Sequence, residues 1–132
     1  MSKIVETIES LDGLIKLKPA TKSQIREAEQ SLKLKFASEY KEYLEAFGAI
    51  TADGIELTGI TKSNHVNVIY QTKKEWDLNE NVPHNMYVIE NLNIEGVVIW
   101  QDSKGTIYQS RPNHEPKKIN KSLAEYVEES QF

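Results

Sequence analysis

Few side chains of this sequence could do chemistry. His65, His84 and His114 are its only histidines, and no two stand at the i, i+4 spacing that places a pair of ligands on one helix face. They read as loop histidines near the surface, with no metal ligand among them. Cysteine is absent, which removes the thiol nucleophile, the disulfide framework and the thiolate zinc site together. A serine nucleophile would need a strained turn and a base within reach, yet no Gly-x-Ser-x-Gly element occurs, and Ser103 and Ser110 read as turn residues. The six glycines are scattered, none opening a phosphate loop followed by Lys-Ser or Lys-Thr, so nucleotide binding by those routes is excluded. Glu90 and Glu95 flank a turn and could in principle share acid–base work, but acidic pairs around hairpins are commonly just solvated. The sequence assigns no catalytic residue, no metal ligand and no cofactor.

Charge distribution is more informative. The formal net charge is −4; residues 1–50 hold eight Lys/Arg and eight Asp/Glu, and residues 51–132 hold eight and twelve, so the second half carries the excess. Within it, Glu75, Asp77, Glu80, Glu90, Glu95 and Asp102 fall in a stretch, residues 75–103, without any Lys or Arg. Such a stretch repels a nucleic-acid backbone and attracts a basic protein. Lys73-Lys74 and Lys117-Lys118 are isolated pairs, which speaks further against nucleic acid. Trp76, among these carboxylates, reads either as a core residue or as an exposed anchor of an interface. Each carboxylate has two readings as well: a contact for a partner, or a solvated loop or sheet-edge charge.

The elements that must position these residues follow from periodicity. The length suits one domain spanning residues 1–132, with 39% hydrophobic and 27% charged residues as in ordinary globular chains. Residues 3–14 predict a helix with Ile4, Ile8, Leu11 and Ile15 on its apolar face, stopped before Lys18-Pro19. Ile25, Ala28 and Leu32 recur at helical spacing after Thr21, with Gln24 completing a capping box. Tyr40, Tyr43, Leu44 and Phe47 mark a second helix with Ser38 as cap and Gly48 as stop. Thr51-Ala52-Asp53-Gly54 turns into a short strand over residues 55–59. Residues 67–70 read as a strand or edge, and 71–78 as a short helix with Trp76 inward. Residues 86–90 and 96–101 are the strongest strands, the latter central because its apolar residues are consecutive. A turn at residues 102–105 leads into 106–110, and Asn120 reads as the cap of a last helix that buries Leu123, Tyr126 and Val127. The sum is α+β: an antiparallel-dominated sheet of roughly five to six strands against N-terminal helices and a C-terminal helix.

The order of these motifs resembles the SUKH superfamily, which includes a fungal cell-wall regulator and bacterial immunity proteins. The residues carrying the resemblance are Thr21, Gln24-Ile25, Ala28-Glu29, Tyr40-Lys41, Tyr43-Leu44 and Phe47-Gly48. It continues through Glu56-Leu57-Thr58-Gly59-Ile60, the hairpin around Asp102-Ser103-Lys104-Gly105, and Ser122-Leu123-Ala124-Glu125-Tyr126. Family members usually carry a proline where the second helix begins, and this chain has Ala37. A proline there would be tolerated, or stabilising by about 0.4–1 kcal/mol, if the helix start needs only a preset backbone angle.

The resemblance implies a sheet packed by helices on one side, leaving a surface for partners, and a binding protein rather than an enzyme. The expected partner is a cognate toxin, many of which are nuclease domains with basic surfaces, neutralised by stoichiometric contact. The candidate contacts are Glu75, Trp76, Asp77, Glu80, Glu90, Glu95 and Asp102. A regulatory scaffold is the alternative, although fungal members are longer and carry disordered flanks. The N-terminal residues lack the basic-then-apolar pattern of a signal peptide, and no stretch reaches membrane-spanning length, so the expectation is a cytoplasmic monomer or weak dimer.

Overall fold

The computed structural model describes residues 2–130; Met1, Gln131 and Phe132 of the expected domain lie outside the described residues. The fold is α+β, five helices with two antiparallel sheets among the described residues. The elements run α1 (Lys3–Glu9), β1 (Ile15–Lys16), α2 (Lys22–Leu32), α3 (Ser38–Phe47), β2 (Ile50–Ala52), β3 (Ile55–Glu56) and α4 (Val68–Leu78). β4 (Met86–Asn91), β5 (Val98–Asp102), β6 (Ile107–Ser110), β7 (Lys117–Asn120) and α5 (Leu123–Glu129) complete the chain. The sheets are ordered β1-β2-β3 and β4-β5-β6-β7.

Local chemistry explains the helix starts. Thr21 and Gln24 form the reciprocal capping box, Gln24 N–H donating to Thr21 Oγ1 at 3.1 Å and Thr21 N–H to Gln24 Oε1 at 2.9 Å. Gly48 ends α3 at φ +74°, and a Cβ there would run into the Lys18 carbonyl oxygen. That close approach lets the chain double back and seat β1 beside β2.

β5 is an inner strand of its sheet, and the period-2 alternation of the meander shows why Val98, Ile99 and Trp100 are apolar in succession. Tyr87, Ile89, Ile99 and Ile107 face the main core with α1, α2, α3 and α5. Met86, Val88, Val98 and Trp100 face the other way, forming a second cluster with Val82, flanked by Trp76 and Tyr108. The main core also contains a polar seam. Tyr43 Oη donates to the Thr58 carbonyl at 2.7 Å and accepts from Ile50 N–H at 3.1 Å; Tyr40 Oη pairs with Thr58 Oγ1 at 2.9 Å. Burial pushes both phenols well above their ordinary pKa.

Several sequence expectations are corrected. The first helix stops at Ser10, so Ile15 leaves its apolar face and stands 61% exposed on β1. Residues 67–70 are not a strand: Asn67 caps α4, accepting from Ile69 N–H at 2.9 Å and Tyr70 N–H at 3.1 Å. Asn120 ends β7, and Ser122 caps α5 through Glu125 N–H at 3.1 Å. Asn120 instead holds Glu125 and Glu129 through Nδ2 at 3.1 and 2.9 Å.

Ala37, not Ser38, is the N-cap of α3, and its φ of −62° would suit proline. Its N–H, however, donates to the buried Tyr87 Oη at 2.9 Å. A proline ring would remove that donor and press Cδ toward the phenol oxygen. Ala37→Pro is therefore expected to destabilise by about 1–3 kcal/mol rather than stabilise, read as a lower urea midpoint. A midpoint equal to or above the parent's would show that the bond to Tyr87 contributes nothing.

Candidate protein-binding surface

α4 positions Glu75, Trp76 and Asp77, and Glu80 follows just beyond its end. Val68, Gln71, Thr72 and Glu75 recur at helical spacing on its buried face, and Thr72 Oγ1 accepts Val88 N–H at 2.9 Å, tying the helix to β4. Trp76 sits half-buried beside that face. Its indole N–H donates to the Met86 carbonyl at 3.1 Å and its ring stacks on His84 with centroids 4.2 Å apart.

The structure gives Glu75 and Glu90 a different place from the one expected of partner contacts. Glu75 is 5% exposed, and its carboxylate accepts from Asn79 Nδ2 at 3.1 Å and Asn91 Nδ2 at 3.2 Å, with Lys74 Nζ at 3.6 Å. It therefore fastens the end of α4 to the end of β4. Glu90 is 6% exposed and accepts from Tyr126 Oη at 2.6 Å and Glu56 N–H at 2.8 Å, joining β4, β3 and α5. The helical register from Asn67 would have turned Glu75 inward from sequence. Nothing local marks Glu90.

Burial raises the Glu90 carboxyl above its ordinary 4.5, against the opposing bonds from Tyr126 and Glu56 N–H. In this window the folded state binds the proton more readily than the unfolded chain. Stability should therefore fall as pH rises from 4.5 through the raised folded value. Glu90→Gln should flatten that part of a stability profile measured by urea unfolding across pH; an unchanged slope would reject the assignment.

The remaining carboxylates are at the surface but not all together. Asp102 lies in the β5–β6 turn, where Oδ1 accepts Lys104 and Thr106 N–H, both at 3.0 Å, and Oδ2 accepts Tyr108 Oη at 3.3 Å. In an antiparallel meander alternate loops share an end, so the β4–β5 and β6–β7 loops lie at the end opposite Asp102. Pro112 packs where a Gly96 side chain would be, bringing those two loops into contact. Asp77 and Glu80, at the end of α4, face Arg111, Asn113 and His114 across an open pocket of about 320 Å³. Asp77, Glu80 and Glu95 are thus gathered at one end of the four-stranded sheet.

The same end displays apolar residues the sequence reading missed. Leu78 is 66% exposed, Ile94 65% and Leu92 37%. The loop holding Leu92 and Ile94 is a built turn: Asn93 and Glu95 adopt left-handed φ of 56° and 54°, and Asn91 Oδ1 accepts Asn93 N–H at 2.9 Å. Asn91 in turn is gripped by Glu75. Leu-Asn-Ile between turn residues was the available signal, since apolar side chains on a turn tip have no core to enter.

His65 pairs with Glu56 at 2.9 Å, and His114 lines the pocket facing Asp77. Among the described residues no group of three or more His, Cys, Asp or Glu could hold a metal ion, and no helix is long and apolar enough to cross a membrane.

No curated protein matches the chain. A family model does: SUKH_5, described as SMI1-KNR4 cell-wall, matches residues 1–131. That match spans the helices, both sheets and the surface just described, and the chain belongs to the SUKH_5 (SMI1-KNR4) family.

Proposed function

We propose that this protein is an immunity protein, an antitoxin that neutralises one cognate toxin by stoichiometric contact and without chemistry of its own. The supporting observation is that one end of the sheet carries Glu95 with exposed Leu92 and Ile94 on the β4–β5 loop, while Asp77, Glu80 and exposed Leu78 line the pocket against the adjoining β6–β7 loop. Carboxylates at the rim steer a basic partner, such as a nuclease domain built to hold phosphates, while the apolar centre supplies affinity once desolvated. Trp76 ties α4 to the start of β4, Glu75 and Glu90 hold the scaffold, and Asp102 shapes the far turn. The chain acts as a cytoplasmic monomer or weak dimer before it meets the toxin.

The cell-wall description of the matching family model supports a second reading, a non-catalytic regulatory scaffold. Affinity capture of the tagged chain from its own host, with mass spectrometry after a moderate-salt wash, separates the two. One dominant toxin domain in near-equal amount is the expected result. Its absence from cells shown to express a neighbouring toxin would sink the immunity reading and favour the scaffold.

A further inference from the structure

We propose that the outer edge of β1 is a docking strand for a protein partner, adding to the three-stranded sheet an extended segment that alternates carboxylates with apolar side chains. The inference goes beyond the immunity reading, because it concerns the other sheet and a partner segment of opposite charge. β1 stands at the end of the order β1-β2-β3, so one side of it has no strand beside it among the described residues. Its register on β2 places Ile15 opposite Thr51 and Lys16 opposite Ile50.

Which backbone groups face that open side follows from the neighbouring bonds. Leu17 N–H donates to the Ala49 carbonyl at 3.0 Å, continuing the same register by one residue. In an antiparallel ladder bonded and non-bonded pairs alternate, so Lys16 and Ile50 form a non-bonded pair. Ile50 agrees: its N–H donates to Tyr43 Oη at 3.1 Å and its carbonyl accepts Leu57 N–H at 3.1 Å. The N–H and C=O of Lys16 therefore point away from β2 to the free edge, the template from which strand addition starts.

The side chains on this edge divide by face. Ile15 and Leu17 lie on one face, 61% and 45% exposed although both are apolar. Lys16 and, two residues on, Lys18 lie on the other, both exposed, and Pro19 keeps Lys18 extended. Neither lysine forms an ion pair among the described residues. A strand added in either direction sets its apolar residues beside Ile15 and Leu17 and its carboxylates beside Lys16 and Lys18. A second copy of the chain fits worse. Pairing two β1 edges about a two-fold axis at Lys16 puts Lys16 against its own counterpart, and like charges directly opposite are destabilising. The lysines thus keep the edge from self-association and admit an acidic strand.

Titration of the isotope-labelled full chain with the capped peptide acetyl-Thr-Val-Glu-Val-Glu-Val-Thr-amide tests the edge by NMR. A saturable downfield shift of the Lys16 amide proton, with slowed hydrogen exchange there, is expected. The peptide with lysine in place of both glutamates should bind at least about fivefold more weakly, since two opposite-charge pairs become two like-charge pairs. The Lys16→Glu/Lys18→Glu variant should reverse that preference, a result that a change in folding would not produce. Ile15→Thr/Leu17→Thr keeps strand-forming residues while removing apolar contact, so it should weaken binding of the glutamate peptide without reversing the preference. No saturable shift at Lys16, or no difference between the peptides, overturns the proposal. So does a Lys16 shift that grows with protein concentration in the absence of peptide, which would give the edge to a second copy.

Discussion

Glu39→Ala should lower the stability of this protein by about 3–5 kcal/mol, a fifth or more of what a domain of this kind possesses. Glu39 lies on α3, yet its carboxylate serves three groups on two distant elements. Oε1 accepts Leu123 N–H at 2.7 Å and Gln101 Nε2 at 3.0 Å, and Oε2 accepts Ala124 N–H at 3.0 Å. Leu123 and Ala124 open α5, so a negative side chain from elsewhere in the chain completes the cap that Ser122 begins and meets the positive end of the helix. Truncation leaves donors at the starts of two nearly fully buried residues, Leu123 and Ala124, without acceptors. The check is thermal and urea unfolding: a fall in Tm of roughly 10–20 °C with an unchanged m value is expected. A loss below about 1 kcal/mol would mean that the carboxylate is not the acceptor holding α5. Glu39→Gln should fall between the two, because the amide keeps one accepting oxygen and turns a donor toward the other N–H.

That clamp also illustrates what the sequence could and could not disclose. Helices α2 and α3 were legible because a 3.6-residue period, a capping box and Gly48 are local signals that agree with one another. β5 was legible because a run of buried apolar residues has one common explanation in a sheet. β1, two residues, and β2, three, carry no period to detect, and β7 begins with exposed Lys117 and Lys118. The start of α4 was misread because Val68-Ile69-Tyr70 has strand-like composition, while the decisive residue, Asn67, acts through a cap. The site shows the same division. Charge placed attention on the acidic stretch, but whether a carboxylate points to solvent or to a distant Asn91, Tyr126 or Glu56 is settled by tertiary packing. Glu90 was on that account indistinguishable in sequence from Asp77 and Glu80, whereas Glu75 was separable only once α4 is started at Asn67. Leu92 and Ile94 escaped because an isolated apolar residue is read as core until the fold leaves it outside.

In the proposed immunity complex, Leu78→Asp combined with Ile94→Asp should weaken toxin binding by at least about 100-fold, mainly through faster dissociation. Both side chains are about two-thirds exposed in the free protein, so replacing them should change its own stability by no more than roughly 0.5 kcal/mol each. The two effects can thus be separated by measuring the unfolding midpoint beside the binding kinetics. Glu95→Lys, on the same turn but charged, makes the contrast. A rim charge acts on encounter more than on the formed complex, so this variant should slow association several-fold at low salt and lose most of that difference as ionic strength rises. The pair of results tests the division of labour directly, the apolar centre governing the off-rate and the carboxylate rim the on-rate. A Kd within threefold of the parent for the Leu78/Ile94 variant would move the interface away from this end of the sheet. A Glu95→Lys effect that persisted undiminished at high salt would show that the carboxylate is desolvated in the complex, placing Glu95 inside the contact and not at its rim.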